Sequence, residues 1–221
     1  MTAATPRPPG WQAEKSQRMR DAVLTATAEC LLEVGFAQTT TERIVRAAGV
    51  SRGAMTHHFP SRNALLAAAA AQLAGQQVGQ FDAVLGDDSA WSEDLLTRER
   101  LESQLGQLLE CFRSPVALAF DELQQGARAE AELQGQVAPH SRFVAQHMRR
   151  RLARRFPAWD EAGQRQQGEA LADMMLLTLQ GMAREPDIGI AETPLVATLA
   201  RVVVAEYALA QSRRDRHSGY F

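Results

Sequence analysis

The sequence predicts an all-α protein of about nine helices, in which an N-terminal three-helix helix-turn-helix head precedes a larger C-terminal helical domain. Three observations lead there. Apolar residues recur at three- and four-residue spacings in almost every long segment, which is the period of one helix face. No run of alternating β-branched residues is flanked by a hairpin turn pair, so strands are not expected. Three short helical patterns fall within residues 16–65 with a glycine turn between the second and third, the layout of a helix-turn-helix unit.

The first helix is predicted from Ser16 to Val34, with Val23, Ala26, Cys30 and Leu31 on one face, and Gly35 stops it. Thr39-x-x-Glu42 reads as a capping box that starts a second helix running to Ala48. Gly49 breaks that helix, and Ser51 caps a third that ends near Phe59-Pro60. Ser61 caps a longer fourth helix, closed by Gly86-Asp87-Asp88-Ser89. Leu101, Leu105, Leu108, Leu109 and Phe112 mark the core stripe of a fifth. Ser114-Pro115, a cap followed by proline at the first helical position, starts a sixth that runs to Gly126. A seventh is expected over Ala129–Phe156, bent near Pro139, with Pro157 ending it. The eighth spans Asp160–Arg184, and Thr193-Pro194 caps a ninth carrying Leu195, Leu199, Val202, Val203 and Tyr207. Residues 1–15 are expected to form a disordered arm and residues 213–221 a frayed tail, leaving a head over 16–65 and a helical body over 66–212.

Composition sets the class. With 221 residues and 45% hydrophobic side chains, the chain can bury enough apolar surface to offset the entropy of ordering it. Its purest apolar run, Ala64–Ala71, falls well short of the roughly 20 residues of a membrane span, and the proline-rich start lacks the apolar stretch of a secretory signal. A cytoplasmic protein is expected. Cys30 and Cys111 form no C-x-x-C pair and read as reduced, buried small hydrophobes. The net charge of −2 hides an asymmetry, since residues 1–65 hold eight basic and five acidic side chains and the remainder is acidic. A basic head on an acidic body suits a polyanion partner at the head.

The segment Arg20–Leu66, RDAVLTATAECLLEVGFAQTTTERIVRAAGVSRGAMTHHFPSRNALL, resembles the N-terminal DNA-binding domain of the TetR (tetracycline-repressor) family. Val23-Leu24, Ala26, Gly35-Phe36, Thr39-Thr40, Ala48-Gly49-Val50-Ser51, Gly53, His58-Phe59-Pro60-Ser61 and Leu65 carry the likeness. Three positions depart from the usual pattern: Met55 stands for leucine, Arg62 for lysine, and Thr56 for a tyrosine whose phosphate contact is thereby shortened or lost.

In a helix-turn-helix the third helix enters the major groove with its first residues toward the base edges, here Ser51, Arg52, Gly53 and Ala54. The Arg52 fork suits the two acceptors of guanine, while Gly53 and Ala54 let the backbone approach. Thr40, Thr41, Thr56, His57, His58 and Arg62 carry groups that bind phosphate oxygens and set register. No metal site is expected, because His57 and His58 point about 100° apart on a helix and no further ligand lies near them in sequence.

For the body, the resemblance implies a small-molecule effector site and a dimer. Candidate pocket walls are Cys111, Phe112, Phe120, Phe143, His147, Met148, Met174, Met175, Thr178 and Met182, since methionines and aromatics suit an adaptable apolar cavity. The same residues can instead simply pack the core. A four-helix bundle from the last two helices of each subunit is implied, with Gly181, Leu195, Leu199, Val202, Val203 and Tyr207 at the interface. Two-fold symmetry then calls for a pseudo-palindromic double-stranded DNA operator. The arginine-rich run Arg149–Arg155 reads as a solvated face.

The expected function is a homodimeric, sequence-specific repressor relieved by an effector of unknown identity, with an activator or corepressor-dependent regulator of the same fold as the alternative. A helical enzyme is a minor alternative, for which no G-x-S-x-G, Glu-x-x-His pair or phosphate-cradling glycine loop is present. No cofactor is expected.

Overall fold

The computed structural model describes residues 11–87, 97–156, 164–185 and 191–218. Among these residues the chain forms nine α-helices and no strand: α1 Trp11–Gln38, α2 Thr41–Ala47, α3 Arg52–His58, α4 Arg62–Leu85, α5 Arg98–Phe112, α6 Pro115–Ala127, α7 Ala131–Arg154, α8 Arg165–Arg184 and α9 Glu192–Ser218. Local chemistry sets most of their ends. Gly35 interrupts α1 with φ of 74°, a left-handed conformation that glycine adopts without steric cost. Ser51 Oγ accepts from Ala54 N–H at 3.2 Å, Ser61 Oγ from Ala64 N–H at 3.1 Å, and Thr97 Oγ1 from Arg100 N–H at 3.3 Å. Ser114 Oγ accepts from Ala117 N–H at 3.2 Å, with Pro115 as the first residue of α6.

Several boundaries differ from expectation. The first helix begins at Trp11, so residues 11–15 of the expected arm are helical, while residues 1–10 lie outside the described residues. Thr40, not Thr39, caps α2 and accepts from Arg43 N–H at 3.3 Å. Thr39 is buried, with its hydroxyl donated to Gly35 C=O at 2.7 Å. The ninth helix starts at Glu192 and continues to Ser218, so Thr193 lies inside it and most of the expected frayed tail is helical. The seventh helix ends at Arg154 rather than the expected Phe156, and the expected start of the eighth at Asp160 falls outside the described residues.

The chain divides into two compact units, Met1–Leu73 with Ala119–His140, and Ala74–Leu118 with Ser141–Phe221. The first unit is thus larger than the expected 16–65 head. Its core gathers Val23, Leu24, Leu31, Ile44, Met55, Phe59, Leu65 and Leu66 with Phe120, Leu123, Leu133 and Val137. Polar contacts join the α6–α7 segment to it. Glu122 accepts the Phe36 N–H at 2.7 Å, Glu130 pairs with Arg62 at 3.1 Å, and Asn63 donates to Glu132 at 3.5 Å.

In the second unit α5 packs on α8 and α9, burying its leucine stripe with Leu171, Met175 and Leu179 of α8 and Leu199, Val203 and Tyr207 of α9. The Tyr207 and Phe156 rings meet edge to face at 5.4 Å. Residues Glu192–Arg213 are long and apolar enough, at mean hydropathy 1.4, to cross a membrane. The expectation drawn from the alanine run overlooked this segment. Its Leu199–Val203–Tyr207 face is buried in the unit, while about a third of the apolar window as a whole is buried.

The arginine run on α7 is not the solvated face expected of it. Arg149 grips Asp173 with two bonds of 2.7 and 3.0 Å, Arg151 reaches Asp82 and the Gly86 carbonyl at 2.8 Å each, and buried Arg155 bonds the Leu85 carbonyl. These donors satisfy carbonyls that the end of α4 leaves without intrahelical partners. His147 adds contacts of 2.9 and 3.0 Å to the two oxygens of Asp82. Burial pushes the Asp82 carboxyl up, but the bonds from His147 and Arg151 outweigh it and hold the group below the usual carboxylate range. The unfolded chain therefore binds this proton more readily, so the stabilisation is present above about pH 4 and is lost as pH falls through the lowered folded value. Asp82→Asn is expected to cost about 1 kcal/mol at pH 7, allowing for its partial exposure. That difference from the parent should shrink in urea titrations run progressively below pH 4.

Candidate nucleic-acid interface

The head presents its groups in an order that the local chain dictates. Gly49 takes φ of 66° between α2 and α3, allowing the tight reversal that side chains with a Cβ resist. Ile44 and Met55 are buried and pin the two short helices to α1. Their opposite faces are left to solvent. Arg52, Gly53, Thr56 and His57 are exposed on α3, with Ala54 and His58 half-buried. The start of α2 adds exposed Thr40 and half-buried Thr41. Sequence reasoning therefore named a set of residues that lies on α2, α3 and the start of α4.

Two members are already engaged. The Thr56 hydroxyl donates to the Arg52 carbonyl at 2.8 Å, so its single proton is spent within α3 and is not offered to a phosphate. Arg62 lies over the Phe36 ring at 4.7 Å, pairs with Glu130 at 3.1 Å, and donates to the Phe36 and Thr39 carbonyls at 3.4 and 3.5 Å. It works first as a clamp within the head. Arg62, Phe36, Thr40, Thr41, Gly126 and Glu130 also line a cavity of about 620 Å³.

Five residues that were not among the candidate site residues shape this surface. Glu42 pairs with Arg52 at 3.2 Å. Phe36, Glu122, Gly126 and Glu130 hold the α6–α7 segment to the head. Glu42 left a signal in the sequence as a carboxylate in the first turn of α2, and Phe36 as half of the Gly35-Phe36 pair.

Residues 23–69 match the sequence profile of the bacterial regulatory proteins of the tetR family. Over that segment the head is similar to the tetR family. The described fold as a whole is TetR-like as well. A putative TetR-family transcriptional regulator from Rhodococcus sp. superposes with a TM-score of 0.63 at 22% identity, covering 86% of this chain and 98% of that one. A putative TetR-family transcriptional regulator from Mesorhizobium loti MAFF303099 gives 0.64 at 15% identity over 87% and 96%. The fatty acid degradation regulator FadR from Bacillus halodurans gives 0.57 at 16% identity over 90% and 96%. No curated protein matches the chain in sequence.

Within this TetR-like frame, the ten candidate effector residues do not share one environment. Cys111, Phe112, Phe120, Met148, Met175 and Met182 are buried, and His147 and Thr178 are half-buried. Phe120 falls in the first unit and the other nine in the second. Phe143 is 52% exposed and Met174 is also exposed, which departs from the expectation of enclosed walls. The reason is helical phase: Val137, Val144, Met148 and Leu152 form the buried face of α7, and Phe143 lies about 100° off it. His147 is committed to Asp82. Burial pushes the Cys111 thiol up, away from the thiolate that redox sensing needs.

The expected dimer stripe is also divided. Leu199, Val203 and Tyr207 are buried by their own subunit, Leu195 is half-buried, and Val202 and Gly181 face outward. Leu177, 68% exposed, and exposed Met174 and Leu209 join Val202 and Gly181 on the outer faces of α8 and α9.

Proposed function

We propose that this protein is a homodimeric, sequence-specific DNA-binding transcriptional regulator that works in the cytoplasm, as a repressor relieved by a small-molecule effector bound in its helical body. The observation that carries the DNA-binding reading is the exposed start of α3, where Ser51 caps the helix and Arg52, Gly53 and Ala54 follow with no bulky side chain to hold a groove away. Thr40, Thr41, His57 and His58 flank it with phosphate-binding groups. Catalysis has no place in this reading. Activation, or DNA binding that requires the ligand, is the same assembly with the opposite sign of coupling.

Relief of repression has a candidate route. Residues 119–140 belong to the head's compact unit although they lie in the middle of the chain. An effector that shifts α6 or α7 therefore acts on the element that holds Phe36 and Arg62 through Glu122 and Glu130. A coupling of about 1–3 kcal/mol would weaken operator binding roughly 5- to 150-fold.

Selection from a random duplex pool tests the DNA-binding reading. An enriched pseudo-palindrome, bound with steep salt dependence and preferred over scrambled DNA at two salt concentrations, is the expected result. Absence of enrichment, both alone and with candidate effectors added, would sink it.

The dimer reading rests on the outer apolar face of α8 and α9. Leu177→Asp is expected to keep the helix content, convert the dimer to a monomer in sedimentation, and lower operator affinity because one half-site is then bound at a time. A dimer that survives this change would move the interface elsewhere.

A further inference from the structure

Glu42 and Arg52 stand ten residues apart in sequence, yet the Arg52 Nη1 donates to Glu42 Oε1 at 3.2 Å. Both side chains are largely exposed, 74% for Arg52 and 62% for Glu42. The fork is thus laid back from the first residue of α3 toward the first turn of α2, across the Gly49 turn. An isolated surface pair of this kind is worth little to stability, so folding gives no strong reason for it. Its position does: it sits where the head offers base-reading groups. A carboxylate there repels phosphate, and a head built only for affinity gains by lacking it.

From this contact we infer that Glu42 is a positioning residue for base readout, holding the Arg52 fork while Arg52 reads guanine. The inference rests on the DNA-binding reading above. Arginine has five N–H donors, and Glu42 takes only one bond, at Nη1. Four donors remain, two of which can meet guanine O6 and N7 together. Two effects follow from the pairing. A restrained guanidinium loses less side-chain entropy on docking, because part of that loss is already taken in the free head. A fixed fork also tolerates the wrong base less well than a mobile one, which can swing to a phosphate instead. Specificity rises while total affinity falls, the balance expected when a repulsive group is kept for discrimination. Arg43 and Arg46 on the exposed side of α2 leave the local surface net positive in spite of Glu42.

The test compares the parent full-length protein with Glu42→Ala, Glu42→Gln, Arg52→Ala and the Glu42→Ala/Arg52→Ala double variant. Each is titrated, at matched salt, against the selected operator and against the operator with the Arg52-dependent base pair exchanged. Glu42→Ala is expected to raise affinity for the exchanged operator and to lower the preference for the original base pair by about 2- to 5-fold, the scale of one exposed pair. Glu42→Gln, which keeps the length and an acceptor, falls between. In the Arg52→Ala background, Glu42→Ala should leave that preference unchanged. An equal gain for both operators would overturn the inference and make Glu42 a merely competing charge. So would a loss of preference of the same size with and without Arg52. A parent protein that selects no sequence overturns the DNA-binding reading itself, and this inference with it.

Discussion

Arg52→Ala is expected to cost about 1–3 kcal/mol of operator preference in each half-site, roughly 5- to 150-fold, with little change in binding to scrambled DNA. The side chain is exposed at the first position of α3, so its loss leaves the packed head intact, and circular dichroism and the denaturation midpoint should match the parent. Its neighbours make the effect specific. Gly53 and Ala54 have no long side chains to substitute for it, Thr56 has spent its hydroxyl proton on the Arg52 carbonyl, and Arg62 is held by Glu130 and Phe36. Fluorescence anisotropy with both duplexes at two salt concentrations checks it. A uniform loss of affinity on all sequences would instead make Arg52 a phosphate contact.

The second large effect concerns the joint between α6 and the head. Gly126→Ala is expected to destabilise the protein by about 1–3 kcal/mol, although glycine-to-alanine changes inside helices usually stabilise. A Cβ on Gly126 would fall inside the Phe36 ring. That ring has little freedom to move, since Arg62 stacks on it and its own N–H is tied to Glu122 at 2.7 Å. Gly79→Ala on α4 is the control, with nothing near the added carbon and an exposed site, and there a gain of about 0.5–1 kcal/mol is expected. Urea titrations read both, as midpoint shifts with unchanged slope. Phe36→Leu in the Gly126→Ala background should recover part of the loss, as coupled neighbours do in a double-mutant cycle. If Gly126→Ala were neutral, the close approach of Phe36 would not persist in solution.

How far each level reached is clear from particular residues. Ser51, Ser61, Gly49 and Pro115 act within a few residues of themselves, through a hydroxyl, a left-handed φ or a missing N–H, and they set helix ends where the sequence predicted them, whereas the left-handed Gly35 kinks α1, which runs on to Gln38. Adjacent threonines defeated the same reasoning at α2. Thr39 and Thr40 have identical capping chemistry, and only the burial of Thr39 against the head's core decides that Thr40 takes the cap. Arg151 and Arg155 read as solvated because their acceptors, Asp82 and the end of α4, lie some 65 or more residues away. Leu199, Val203 and Tyr207 read correctly as an apolar stripe, but a stripe does not say whether its own subunit or another covers it. The outward Leu177, Val202 and Leu209 needed the packed unit to be recognised.

By itself the sequence determined the all-α class, the helix-turn-helix with its TetR resemblance, and Arg52 at the start of the third helix, because helical period, caps and turn glycines act at short range. Only the tertiary structure decided that residues 119–140 join the head, that Arg62 and Thr56 are engaged, and that Glu42 holds Arg52. These are pairings of charges and rings whose partners are chosen by how helices pack. A single side chain carries its chemistry in its own letter, but not the address of what it will meet.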